Sequence, residues 1–416
     1  MFTKPHHHYH KKRRHISHFF RYSKDGVITG SADNDPSGIV TYTQVGAATG
    51  FSQLWLLLLS LPMLTVVEEM SARVGVVTKK GLNKVIAHHF GKKLGIFAAV
   101  VVSICNIATI GADVAAMASI GSIVSGISIN ILVVALTVFF GYFIIKENYQ
   151  TLSRFLFLLT PIFLLYVATA IVVNPSWIEV FRNTFIPSGF AGSEYLVLAV
   201  ALLGTTISPY LLFWQTTEEV EEHKTVPDLK DENKGVFFGM AYSHFIFYFI
   251  IVASGAVFFG NHVIIDTAQA AAEALKPLAG DWAFLLFSLG ILGAGTIAVP
   301  VLASSTGYVV ADTLDLQEGV SKPYKKAHGF YGVILASLVV GMVIALSGLN
   351  PMQMLIYSQV LNGILMPILL FLLIRVTSNK EIMGEHINSR LANGVGWLTV
   401  LVFILFDGAL IWSFVS

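Results

Sequence analysis

The sequence predicts an all-α integral membrane protein of about eleven spans, folded as two halves of opposite orientation. Three observations carry this. Of the 416 residues, 55% are hydrophobic and 12% charged, with mean hydropathy +0.72; ordinary soluble domains carry about 25% charge. Apolar runs of about 20 residues recur along the chain, each long enough to cross a bilayer as a helix. Two of those runs are interrupted by proline-containing breaks, five segments apart.

The elements follow in chain order. Segment one, 27–46, contains Asp35-Pro36-Ser37-Gly38, where proline and glycine interrupt a helix and free backbone carbonyls. Segment two, 52–76, contains the adjacent acids Glu68 and Glu69. Segment three, 94–120, carries Cys105, Asn106 and Asp113. Segments four, 123–145, and five, 154–174, are apolar between their ends. Segment six, 196–216, holds the second break, Gly204-Thr205-Thr206-Ile207-Ser208-Pro209-Tyr210. Segments seven, 235–260, and eight, 280–308, flank a loop whose TAQAAAEALKPLAG reads as a short surface helix. Segment nine is 328–347. Segment ten, 351–375, carries Gln359 and Asn362, and segment eleven, 394–415, carries Asp407.

Lysine and arginine test this count. With the N-terminus inside, only Arg182 and Lys276 of the 26 basic residues fall outside, as the positive-inside rule requires. The N-terminus is therefore expected in the cytoplasm, the C-terminus outside, and the chain in the plasma (inner) membrane. Residues 1–26 form a basic tail and 27–416 one transmembrane domain, with halves 27–174 and 196–375 and an extra helix at 394–415. The tail lacks the apolar core of a signal peptide. Its histidines could bind metal, but a solvated terminus is the preferred reading. The single Cys105 excludes an intramolecular disulfide and is expected in a helix core.

An odd number of spans per half forces the halves into opposite orientations. Paired, interrupted segments in such a repeat mark the central site of a secondary transporter. A carboxylate at membrane depth is costly and points to function, so Asp35 is the leading residue. The competing reading is that each proline only kinks its helix.

These residues resemble the NRAMP family of divalent-metal transporters over nearly the whole chain, most specifically in SADNDPSGIVTYTQVGAATGFSQLWLLLLS and SARVGVVTKKGL. Family members carry Asp-Pro-Gly-Asn in segment one and Met-Pro-His-Asn in segment six. Asp35 matches the metal-binding aspartate. Gly38 stands at the asparagine ligand, Ser208 at the methionine and Tyr210 at the histidine, while Thr205 falls where the family offers a backbone carbonyl. Gln359 matches a segment-ten glutamine near the ion, and Glu68 replaces a glutamine near the site. Asp113 keeps an aspartate linked to proton movement, but the glutamate three residues on is Ala116, and segment nine lacks the arginine of proton-coupled members. These departures look most like the NRAMP-related magnesium branch. The resemblance implies the LeuT-like fold, a 5+5 inverted repeat with helices one and six broken, and alternating access.

The residues also speak for themselves. Soft thioether ligands help select transition metals, whereas carboxylate, carbonyl and water suit Mg²⁺, Mn²⁺ and Ca²⁺. Neither break holds methionine, histidine or cysteine, so the site is hard: the Asp35 carboxylate, carbonyls near Thr205 and the Ser208 hydroxyl, with Glu68, Gln359 and Asn362 around a hydrated ion. Mg²⁺ keeps several waters and uses one or two carboxylates, while Ca²⁺ wants six to eight oxygens; Mg²⁺ leads, with Mn²⁺ close behind. Glu68 either faces the ion path or pairs with Arg73. Asp33 either widens the entrance or caps the broken helix. Asp113 lines the path or bonds across helices, and Asn106 and Asp407 are expected to bond across helices. The run Glu218–Glu222 reads as a solvated face rather than a binding site, though it could gather cations.

With the pathway histidine, glutamate and arginine positions empty, uncoupled uptake down the electrochemical gradient is expected. The cargo is the substrate, no cofactor is implied, the bilayer and the cation are the partners, nucleic acid is not among them, and oligomeric state stays open. The alternatives are a proton-coupled Mn²⁺/Fe²⁺ carrier, disfavoured by Ser208 and Tyr210, and an organic-substrate carrier, disfavoured by the acid in the break. A channel is disfavoured by the paired breaks. No HExxH, Gly-x-Ser-x-Gly or Walker pattern suggests an enzyme.

Overall fold

A computed structural model describes residues 35–146, 163–189, 192–261 and 265–415. The helices in order are α1 (Pro36–Thr49), α2 (Leu54–Thr78), α3 (Leu82–Phe90), α4 (Lys92–Ser125), α5 (Ile129–Lys146), α6 (Leu164–Val173), α7 (Trp177–Phe185), α8 (Ser193–Thr206), α9 (Pro209–Glu221), α10 (Leu229–Phe258), α11 (Ala268–Ala272), α12 (Lys276–Ala279), α13 (Ala283–Leu314), α14 (His328–Ala345), α15 (Pro351–Thr377), α16 (Lys380–Met383) and α17 (Arg390–Val415). Among the described residues nine helical stretches are long and apolar enough to cross a membrane. Segments one and five are described in part, as α1 and α6, so each of the eleven expected segments has its helix.

The two breaks differ in kind from the prolines inside helices. Pro62, Pro300 and Pro367 sit inside continuous helices. Pro36 and Pro209 instead open α1 and α9, where a missing N–H costs nothing, behind Asp35 and Ser208 in extended conformation. A helix therefore begins at each motif, and at the second one α8 ends at Thr206 just before α9 starts.

Burial ranks the segments. In segment six 89% of the apolar stretch is buried inside the protein, against 22% in α5 and 33% in α17. Segment six is central, and α5 and α17 turn their apolar sides outward, toward lipid. Glycines let the central helices touch: a Cβ on Gly204 would lie 2.1 Å from the Gln359 carbonyl oxygen, and one on Gly363 2.6 Å from that of Val200. The α8 and α15 backbones are thus in direct contact, as small residues permit between membrane helices.

Several readings change. The short helix expected in the loop 261–279 is docked rather than superficial, since Ala268, Ala271, Ala272, Ala274 and Leu275 are buried. Two amphipathic helices were not foreseen. α3 follows α2 at the lysine-rich end, called inner below, and α7 lies in the loop before segment six with Ile178, Phe181 and Phe185 exposed. The run Glu218–Glu222 is not a solvated face: Glu219 is 2% exposed, and Glu221 accepts hydrogen bonds from Tyr308 Oη at 3.0 Å and Ser321 Oγ at 2.8 Å. The segment is held against α13 and the loop that follows it, which a local sequence pattern does not reveal. The basic tail and its histidines lie outside the described residues.

Candidate metal-transport site

Asp35 is the N-cap of α1, and its side chain accepts a hydrogen bond from the Gly38 backbone N–H. It is 3% exposed. The positive end of the helix stabilises a carboxylate at this position, which explains how an acid is tolerated at this depth. A Cβ on Gly38 would lie 3.0 Å from Asp35 Oδ1 and 3.1 Å from Thr205 Oγ1. The carboxylate of one break and the hydroxyl of the other therefore converge over a residue without a side chain.

The second break supplies oxygens but little charge. Ser208 Oγ donates to the carbonyls of Gly204 at 3.0 Å and Thr205 at 2.9 Å, which leaves its lone pairs available as acceptors. Tyr42 and Thr206 share a 2.8 Å hydrogen bond that ties α1 to the end of α8. Tyr210 is buried, and its carbonyl accepts from Ser305 Oγ at 3.4 Å.

Two further helices close on the breaks. Asp113 of α4 is fully buried and accepts from Ser37 Oγ at 2.7 Å, while its Oδ2 has no hydrogen-bond partner. Its charge interacts with that of Asp35. Of the two readings for Asp113, the structure shows an interhelical bond, and that bond is made to the motif itself. On α15, Gln359 and Asn362 are buried and linked, Asn362 Nδ2 donating to Gln359 Oε1 at 2.9 Å. Asn362 Oδ1 has no hydrogen-bond partner.

Glu68 is reached by register. Gln53 Nε2 donates to the Tyr195 carbonyl, and Thr216 Oγ1 donates to the Ser71 carbonyl; the pairs are 142 and 145 residues apart. Segment two and segment six therefore run side by side in one direction. The same offset sets Glu68 beside Tyr210–Phe213, about a turn past Ser208. Glu68 is 0% exposed and neither carboxylate oxygen has a hydrogen-bond partner. The proposed pair with Arg73 does not form. Arg73 donates to Asn388 Oδ1 at 3.2 Å, and its charge acts on Glu69. Asp33 lies outside the described residues.

Among the described residues, no three His, Cys, Asp or Glu side chains are grouped to hold a metal ion. The oxygens gathered here are carboxylates with hydroxyls, amides and carbonyls, a hard set. Asn106 bonds across helices as expected, to Leu302 O and Thr306 Oγ1. Asp407 Oδ1 has no partner, so the bond expected of it is not shown. Sequence reasoning missed Ser37, although it stands within the motif. It also missed His244 in segment seven, which is bonded to Met240 O and Ser60 Oγ and so is a satisfied core residue.

The family model described as Natural resistance-associated macrophage protein-like matches residues 26–413. The chain belongs to this Nramp family. Relatives include proteins named divalent metal cation transporter MntH. That of Klebsiella pneumoniae is 25% identical over 91% of this chain and 90% of its own length, and that of Bacillus subtilis is 25% identical over 92% and 90%. Among solved structures, a manganese transporter of Eremococcus coleocola aligns with TM-score 0.76 at 17% identity, covering 97% of this chain and 87% of its own. The nucleobase-cation symporter Mhp1 aligns at TM-score 0.60 and 14% identity (94% and 92%), and MhsT at 0.62 and 13% (94% and 97%). The Nramp chain thus has the LeuT-like fold expected from its sequence.

Proposed function

We propose that this Nramp protein is a transporter, not an enzyme, that carries a divalent metal cation across the membrane by alternating access, with Asp35 as the charged ligand. The observation that carries the reading is the convergence of Asp35 Oδ1 and Thr205 Oγ1 over Gly38, where the start of α1 meets the end of α8. Gln359 and Asn362 supply amide oxygens from α15, and Glu68 adds a second carboxylate from α2. The N-terminus is cytoplasmic and the C-terminus external, as the basic residues suggest.

On the identity of the ion two observations pull apart. The relatives are named for a divalent metal cation and the Eremococcus neighbour for manganese, so Mn²⁺ is the leading cargo and the proton-coupled manganese reading gains over the one drawn from sequence. A second reading, Mg²⁺, is favoured by the site: Gly38 leaves room for ion-bound water, and Ser208 offers oxygen in place of sulfur. Mg²⁺ dehydrates reluctantly and keeps several waters. The absence of a carboxylate at Ala116 and of an imidazole at Tyr210 supports transport without proton coupling, driven by about 2.3 kcal/mol per charge per 100 mV.

Uptake into proteoliposomes tests this. Mn²⁺ is expected to enter, Mg²⁺ to enter and compete with it, and Asp35→Ala to reduce both by at least about 10- to 100-fold, no less than is typical for losing an outer-shell partner of a metal site. Flux unaffected by Asp35→Ala rejects the site. A pH dye in the lumen reads coupling: stoichiometric acidification with metal entry rejects the uncoupled reading and leaves the proton-coupled one.

A further inference from the structure

Below the break, the seam between α2 and α9 carries buried polar groups that the central site does not use. The two helices touch here: a Cβ on Gly75 would lie 2.2 Å from the Thr216 carbonyl oxygen and 2.9 Å from Glu219 Cβ. Gln215 and Glu219 stand one turn apart on α9, 5% and 2% exposed. Gln215 Nε2 donates to Glu219 Oε1 at 2.8 Å, which sets the amide beside the carboxylate. Gln215 Oε1, Glu219 Oε2 and Glu218 Oε2 are buried and have no hydrogen-bond partner.

Acidic groups crowd in the same place. Glu218 and Glu219 interact electrostatically with Glu222 and Glu232, and Lys224 is the cation common to all four. Lys224 is already engaged, 2.5 Å from Glu232 and 3.1 Å from Glu222. A buried acceptor left without a donor costs about 1–3 kcal/mol, more when charged. Three such acceptors within little more than one turn of α9 require donors. Waters on a divalent cation are strong donors and bring the missing positive charge. Direct ligation is not required of the protein, in keeping with the lack of any three-residue metal grouping among the described residues.

We propose that Gln215, Glu218 and Glu219 form a second cation stop, inward of Asp35, which holds a divalent cation through its water shell. This rests on the transport reading above: an ion released from the central site pauses here, and a high cation concentration on the inner side fills the stop and slows further release. The stop takes hard, well-hydrated ions and discriminates little between Mg²⁺ and Mn²⁺, because it contacts their water.

Mn²⁺ binding to the detergent-purified full chain, counted by electron paramagnetic resonance, tests the proposal. Two sites are expected in the wild type, one in Asp35→Ala, one in Glu219→Gln and none in the double variant. Inhibition of uptake by Mn²⁺ preloaded in the lumen should weaken severalfold in Glu219→Gln. A single wild-type site that Asp35→Ala removes overturns the second stop and keeps the transport reading. A single site that survives Asp35→Ala and disappears in Glu219→Gln does the reverse. Should Glu219→Gln fail to fold, Glu218→Gln gives the same readout, and two sites persisting in Glu218→Gln overturn the proposal.

Discussion

At the scale of single residues, the proposed selectivity of the central site rests on two positions. Gly38 leaves open the space between Asp35 and Thr205, and a methyl group there would sit at 3.0 and 3.1 Å from their oxygens, closer than side chains normally pack. Gly38→Ala is therefore expected to displace ion-bound water and to raise the half-saturating Mg²⁺ concentration more than that of Mn²⁺, because Mg²⁺ gives up water less readily. Competition of each ion against uptake of the other reads this ratio. Ser208→Met tests hardness: a thioether should raise Cd²⁺ uptake relative to Mg²⁺ severalfold. Equal ratios in wild type and variant would show that position 208 does not select.

At the scale of elements, helix ends are held by residues distant in sequence. α3 begins after Gly81, which has no side chain to cap it. Asp312 of α13 takes the vacant place: its Oδ2 lies 2.3 Å from where a Gly81 Cβ would be, and it accepts from the Lys84 backbone N–H. Asp312→Ala should lower stability by about 1 kcal/mol, the usual value of an N-cap, seen as an earlier thermal transition in detergent. α10 is entered through Thr225 and Asp228, which form a capping box. The Thr225 hydroxyl and backbone N–H hold the Asp228 carboxyl below its ordinary range. A depressed acid stabilises the fold above its unfolded value of about 3.9 and loses that contribution as pH falls through the lower folded value. Protection of the Thr225 amide, which donates to Asp228 Oδ2, should therefore fall on acidification once intrinsic exchange is corrected for, while in Asp228→Asn it stays constant in that window. None of these caps is visible from neighbours in the sequence alone except the Thr225 box, where both partners lie within one turn.

At the scale of the whole molecule, the basic residues make a topology that can be checked directly. Cys105 is the only cysteine and is buried, so a background lacking reactive thiols needs one change, Cys105→Ala. Single cysteines at Lys276 and Lys224 are then expected to react with an impermeant thiol reagent from outside and only from inside, respectively. The reverse pattern would invert the assignment.

The amino-acid sequence by itself determined the membrane character, the eleven segments, their two breaks and the family. These follow from local properties: the length of apolar runs, the cost of proline in a helix and the sorting of lysine by side. The choice of Asp35 and of segment six was legible for the same reason. Which polar groups meet was decided only by tertiary structure. Asp113 bonds Ser37 across 76 residues, Arg73 turns from Glu68 to Asn388, and the acids that read as a solvated face fold under α13. Such pairings depend on the register and approach of packed helices. In the centre, Gly204 and Gly363 set these by bringing two backbones into contact, and no periodicity within a single helix encodes the position of its neighbour.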